Sequence, residues 1–202
     1  QEKNILREYS CPVNGTDVIL VTTTKDKVDL HESIFEFYTK RGFQVRFLIG
    51  DSSRSKEKSA PGIIKRYIIG NYEDRYENLH FKTFSAFQFV SRCSLHNSNI
   101  IFLDDDTFFN PFPTISQAPI TCGHARLVTF DLIFFIFERN NAETSWKKPF
   151  GKFRLSNEIW PDNYRYPTYC AGACTVLTSS TAQKIYDVAR EIELSDFNVR
   201  LT

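Results

Sequence analysis

Two apolar, β-branched runs flank one amphipathic stretch near the start of the chain. The runs are "DVILVTTT" (Asp17–Thr24) and "FQVRFLIG" (Phe43–Gly50), and "DLHESIFEFYTKRG" lies between them. Val, Ile, Thr and Phe in short runs read as buried strands. In the middle stretch, Asp29 and Glu32 make a capping-box pattern, and Ile34, Phe35 and Tyr38 form an apolar face. Gly42 supplies the stop. A strand, a helix and a strand in this span predict a β-α-β unit, hence a parallel sheet covered by helices. The fold class is therefore α/β with a mostly parallel central sheet.

The rest of the chain extends that pattern. Residues 51–62, "DSSRSKEKSAPG", are polar and charged and read as a surface loop. "YIIGNY" (Tyr67–Tyr72) is a short strand candidate. "NLHFKTFSAFQFVSRCSL" (Asn78–Leu95) has an asparagine cap and sets Phe84, Phe87 and Val90 on one face, so it reads as a long helix. "NIIFL" (Asn99–Leu103) is a short buried strand. Near the end, Ser180 and Gln183 make a second capping box. Ala182, Ile185, Tyr186, Ala189 and Ile192 mark the core face of a last helix. Residues 124–148 break this rhythm of short elements and receive no assignment. The 202 residues hold no repeat or low-complexity linker, so residues 1–202 are read as one domain.

The strand "NIIFL" runs directly into Asp104, Asp105 and Asp106. Adjacent carboxylates repel and raise one another's pKa, which is costly unless a cation is present. In open α/β sheets, ligands bind beyond the carboxyl ends of the strands, where this triplet sits. Continued extended geometry would send Asp104 and Asp106 to one side and Asp105 to the other. Two carboxylates on one side are hard oxygen ligands suited to Mg²⁺ or Mn²⁺, with water and a phosphate-bearing substrate completing the shell. The alternative is a solvated acidic turn.

Other acidic chemistries fail on the residues that follow. An EF-hand loop needs Asp or Asn at its fifth position and Gly at its sixth, where this chain has Phe108 and Phe109. A phosphohydrolase of the aspartyl-phosphate type needs a small residue at Phe108. No P-loop and no Gly-rich dinucleotide fingerprint occurs. The net charge of +1 gives no case for nucleic acid, and the longest apolar stretch, "LIFFIF" (Leu132–Phe137), falls far short of a membrane span. The five cysteines form no CxxC pair and no zinc spacing with the scattered histidines. They read as buried thiols or as disulfides of a secreted chain. The sequon Asn14-Gly15-Thr16 leans weakly toward the secretory route.

In series, three blocks resemble the β-1,3-galactosyltransferases, glycosyltransferase family 31. The first is "YEDRYENLHFKTF", with Tyr76, Asn78, Leu79, Lys82 and Thr83 matching. The second is "IIFLDDDTFFNPF", with Asp104, Asp105, Asp106, Phe108 and Asn110. The third is "YPTYCAGACTVLTSS", with Tyr166, Pro167, Tyr169, Cys170, Gly172 and Ser179. "FLIG" (Phe47–Gly50) matches an early strand of the family.

The resemblance implies a GT-A-like α/β/α nucleotide-sugar-binding sandwich. It further implies an inverting hexosyltransferase that moves galactose or N-acetylhexosamine from a UDP-sugar onto a glycan hydroxyl on protein or lipid, with Mn²⁺. By carry-over, Asp104 and Asp106 are the metal ligands, and Asp104, Asp105 and Lys82 contact the donor. Trp160, Tyr166, Tyr169 and Gly172 are acceptor-side candidates. The implied setting is the Golgi membrane, with a lumenal catalytic domain on a single N-terminal anchor that this chain does not include.

The sequence also departs from the family. The segment "SIFEFYTKRGFQ" replaces an early Arg-x-x-Trp-Gly-like block, and Ala171 stands where Ser is common. The acidic block expected to carry the catalytic base would lie beyond Thr202. The alternative expectation is therefore a catalytically silent nucleotide-sugar or glycan-binding module of the same fold.

Overall fold

The computed structural model describes residues 6–52, 65–75, 78–108, 120–123 and 174–191. Among these residues, seven strands form one sheet: β1 (Leu6–Glu8), β2 (Val18–Thr22), β3 (Gln44–Gly50), β4 (Tyr67–Gly70), β5 (Asn99–Asp104), β6 (Ile120–Gly123) and β7 (Cys174–Thr178). Three helices among the described residues accompany them: α1 (Val28–Thr39), α2 (Leu79–Arg92) and α3 (Ser179–Glu191). The spatial order is β1-β4-β3-β2-β5-β7-β6. The four strands β4-β3-β2-β5 are parallel, while β1 pairs antiparallel with β4, and β7 antiparallel with both β5 and β6. The mostly parallel α/β sheet expected from the sequence is thus present.

Strand alternation divides the core between two faces. In β2, Val18 and Leu20 join Leu48, Ile68, Ile100 and Leu177 beneath Ala86, Phe89 and Val90 of α2 and Ala182 of α3. Ile19 and Val21 join Val45, Phe47, Ile101 and Leu103 beneath Ile34 and Tyr38 of α1. The result is the expected α/β/α sandwich, with both faces of the central strands dry. Burying one Leu- or Ile-sized side chain contributes about 1.5–3 kcal/mol, so β2 alone anchors the sheet strongly.

Helix boundaries differ from the sequence reading. The α1 N-cap position is Lys27, with no side-chain capping bond, so Asp29 lies inside the first turn rather than before it. Its charge there still favours the helix dipole. Asn78 does sit at the N-cap of α2, but its amide donates to Glu73 O at 2.9 Å instead of capping. On α3 the cap is Thr178, whose Oγ1 accepts from Thr181 N–H at 3.2 Å, and Ser180 is already helical. The buried face of α2 runs through Phe84, Phe89 and Val90, with Phe87 only partly covered. Gly42 ends α1 as expected, at a φ of +89°, which glycine adopts without steric cost.

Three strands were not foreseen. β1 and β6 are edge pieces of 3 and 4 residues, too short for periodicity to register. β7 comes from "CTVLT", a β-branched run hidden inside a block noted for its family resemblance. The segments 53–64, 109–119 and 124–173 lie outside the described residues, and with them most of the polar loop and all of 124–148. Among the described residues, no helix is long and apolar enough to cross a membrane.

Connectivity places a crevice at one end of the sheet. From β2 the chain crosses to β3 and on to β4, then returns through α2 to β5 on the other side of β2. The order therefore reverses between β2 and β5, and such a switch point opens a ligand crevice at the carboxyl ends of the strands. Those ends are Thr22 and Asp104, paired in register.

Candidate functional site

The aspartate triplet is not a continuation of β5. Asp104 is the last strand residue, and Thr107 N–H donates to Asp104 O at 3.1 Å. Asp105 and Asp106 are thus the central residues of a tight turn. Extended alternation does not divide the carboxylates; the turn and its partners do.

Asp105 is the anchored member. Its Oδ2 accepts from Thr23 Oγ1 at 2.7 Å and from Lys27 Nζ at 2.8 Å. Its side chain is 12% exposed against 44% for Lys27, so this is a half-covered ion pair. The bond to Asp105 is also the main reason the Lys27 pKa is raised.

Asp104 and Asp106 carry no such compensation. Among the described residues, neither is paired with a base; Asp106 Oδ1 accepts only from Thr107 Oγ1, at 3.3 Å. Asp104 reaches solvent, yet the protein crowded around its carboxyl pushes its pKa up, helped by Asp106 and then Asp105. Two uncompensated carboxylates beside a neutralised third are hard oxygen donors suited to a small divalent cation. Among the described residues, no group of three or more His, Cys, Asp or Glu is placed to hold a metal ion. An open site of one or two carboxylates is how phosphate-bound Mg²⁺ or Mn²⁺ is commonly held.

A buried polar chain supports Asp105 from behind. His31 Nε2 lies 2.8 Å from Thr23 Oγ1, and His31 Nδ1 lies 3.0 Å from the Tyr67 hydroxyl. Thr23 has one hydroxyl proton and gives it to Asp105, so its oxygen must accept from His31 Nε2–H. His31 Nδ1 is then the acceptor, and Tyr67 O–H donates to it. The chain runs one way, from Tyr67 through His31 and Thr23 to the Asp105 carboxylate. Burial lowers the His31 pKa against the pull of Asp105, which keeps the ring neutral as the chain requires. Its ring stacks on Phe47 at 4.6 Å.

Thr23 is also held through its backbone. Lys82 Nζ donates to Thr23 O at 2.5 Å and contacts Asp74 Oδ1 at 2.5 Å, with side chains 4% and 7% exposed. Lys82, expected at the donor, has its ammonium committed to these two oxygens. Asp74 reaches it because Gly50 and Gly70 let residues 72–74 cross close over the strand ends. A Cβ on Gly50 would lie 2.7 Å from Tyr72 O and 3.0 Å from Asp74 N. On the far side of the triplet, the Phe108 ring packs 4.7 Å from Phe37 and 5.7 Å from Tyr38 of α1.

The structure thus gathers Asp104, Asp105 and Asp106 with Thr23, Lys27, His31 and Tyr67. None of the last four stood out in the sequence. "VTTT" read only as a strand, and His31 only as one of the scattered histidines. Asp74 had one signal, its place in the block that carries Lys82. Trp160, Tyr166, Tyr169 and Gly172 lie outside the described residues.

Comparison with known proteins agrees with the fold. A galactosyltransferase family model matches residues 32–199. The chain is similar to mouse beta-1,3-galactosyltransferase 4, with 25% identity over 217 residues, covering 92% of this chain and 58% of that protein. It is similar to the rat protein of the same name, at 24% over 177 residues, covering 74% and 47%. It spans about half the length of these curated relatives. With most of its residues matched by one family model, this chain belongs to the galactosyltransferase family.

Proposed function

We propose that this chain holds the nucleotide-sugar donor of an inverting, Mn²⁺-dependent hexosyltransferase. The donor is a UDP-linked galactose or N-acetylhexosamine, and the acceptor is a glycan hydroxyl on protein or lipid. The observation that carries this reading is the unequal treatment of three adjacent carboxylates. Asp105 is fixed by Thr23 and Lys27, while Asp104 and Asp106 are left without a base among the described residues.

Asp104 and Asp106 are the residues that would hold the metal. When bound, Mn²⁺ offsets the diphosphate charge and stabilises UDP as a leaving group. Asp105 takes no ligand role in this reading; it holds the turn so that its neighbours keep their places. Lys82 acts at one remove, by fixing Thr23. Inverting transfer also needs a carboxylate to take the acceptor proton, and we assign none among the described residues. Trp160, Tyr166, Tyr169 and Gly172 remain proposed for the acceptor side. A Golgi-lumenal setting, with a membrane anchor outside this chain, is part of the proposal. The Cys11–Cys93 disulfide supports it, because such bonds persist in oxidising compartments.

Calorimetry of UDP binding, with and without Mn²⁺, tests the site. Binding that needs Mn²⁺ and is lost in Asp106→Ala is the expected result. Binding indifferent to Mn²⁺, or unchanged in the variant, overturns the reading.

A further inference from the structure

We infer that Asn14 is an N-glycosylation site, modified on its side-chain amide by a lipid-linked oligosaccharide. Asn14-Gly15-Thr16 is the single Asn-x-Ser/Thr sequon in the 202 residues. A sequon by itself is weak, since many are buried, or lie in proteins that never meet the modifying enzyme. Two independent observations answer those objections.

The first is accessibility. Val13, Asn14 and Gly15 are exposed, and Val13 is 72% accessible. Gly15 has a φ of +78°, and a Cβ built there meets nothing within 4 Å, so the turn projects into open space. The chain on either side is pinned. Arg46 Nε donates to Ser10 O at 3.2 Å, and Gln44 binds both Val13 N and Val13 O, at 3.0 and 2.9 Å. Asp17 Oδ1 accepts from Asn99 N at 2.8 Å. Asn14, Gly15 and Thr16 lie between these ties and take part in none of them.

The second is compartment. Cys11, three residues before Asn14, is disulfide-bonded to Cys93. Disulfides belong to the oxidising route in which N-glycans are attached. The turn leads into Val18, the first residue of β2, at the opposite end of the parallel strands from Asp105. A glycan there leaves the crevice open. The proposal does not depend on the transferase reading.

In the step itself, the Asn14 Nδ2 forms a bond to the anomeric carbon of an oligosaccharide carried on a lipid diphosphate. The bond from that carbon to the phosphate oxygen breaks, the lipid diphosphate leaves, and the amide loses one proton to the transferring enzyme.

The test is peptide mass spectrometry of the full-length protein from eukaryotic cells, after amidase release of N-glycans in heavy-oxygen water. Conversion of Asn14 to labelled Asp is the expected result. Asn14→Gln and Thr16→Ala should each remove one glycan from the intact mass, and Thr16→Ser should keep it. UDP affinity should stay the same in all three. An unmodified Asn14 in protein whose Cys11–Cys93 bond is oxidised overturns the inference. So does a full-length protein confined to the cytosol.

Discussion

Thr23 Oγ1 donates a 2.7 Å hydrogen bond to Asp105 Oδ2 across 82 residues of sequence, from the end of β2 to the turn after β5. The register that pairs Thr22 with Asp104 sets this contact, because each next residue leaves its strand at the same level. Thr23 is the meeting point of the site. Its hydroxyl faces Asp105 and His31, and its carbonyl takes Lys82.

Replacing that hydroxyl should therefore loosen the turn. Thr23→Val is close in shape but leaves His31 Nε2–H without an acceptor and Asp105 without one donor. Losing a buried partner costs about 1–3 kcal/mol. Urea unfolding should show a loss of that size, and Mn²⁺-dependent UDP affinity should fall with it. Thr23→Ser, which keeps the hydroxyl, should recover most of both. Equal affinity in Thr23→Val and wild type would mean that Asp105 needs no support from β2.

The Lys82–Asp74 pair predicts a larger stability effect. Both side chains are almost fully covered, so removing one charge strands the other in a poorly solvated place. Lys82→Met should destabilise by about 3–5 kcal/mol. The double variant Lys82→Met with Asp74→Leu should be less damaged than the single one, because no orphan charge remains. A double-mutant cycle by chemical denaturation reads the coupling. Additive losses would show that the two groups act independently.

His31 gives a pH dependence with a definite sign. Its ordinary value is 6.5 and burial lowers it in the fold. Below 6.5 the unfolded chain takes up a proton that the folded ring resists, so the unfolded state binds more protons and stability drops as pH falls. The loss begins near 6.5 and stops growing once pH passes the folded value. Asp105, Asp26 and Asp74 pull toward the charged form and Lys27 against it, and the Tyr67 hydroxyl faces the ring. Denaturation midpoints measured from pH 7.5 downward should decline in wild type and decline less in His31→Gln. Parallel curves would remove His31 as the source.

The strands and helices that position this site were legible where periodicity was long. β2, α1, β3, α2 and β5 bury residues at the spacings seen in the sequence. The triplet was legible too, because three carboxylates after an apolar strand are chemically conspicuous. Its supports were not. Thr23 and Asp105 meet only through strand register, and His31 joins them because α1 crosses over β3. Such contacts depend on where elements land against one another, and no local pattern encodes that. The edge strands and caps failed for a different reason. They are set by a few residues whose partners lie elsewhere in the chain, as when Thr178 rather than Ser180 closes α3.

The Cys11–Cys93 bond joins the segment before β2 to the end of α2, with 82 residues of separation. Cross-linking a loop this long restricts the unfolded chain, and losing a native disulfide costs about 2–5 kcal/mol. Cys174 cannot take over the role. It is buried in β7, and burial pushes its thiol pKa up to about 12, far from the thiolate form that exchanges disulfides. Reduction, or the double change Cys11→Ser with Cys93→Ser, should lower the thermal midpoint by a similar amount in each case. Thiol labelling of the folded, reduced protein should reach Cys11 and Cys93 while Cys174 reacts slowly. A midpoint unmoved by reduction would show that Gln44 and Arg46 hold the segment without the bond.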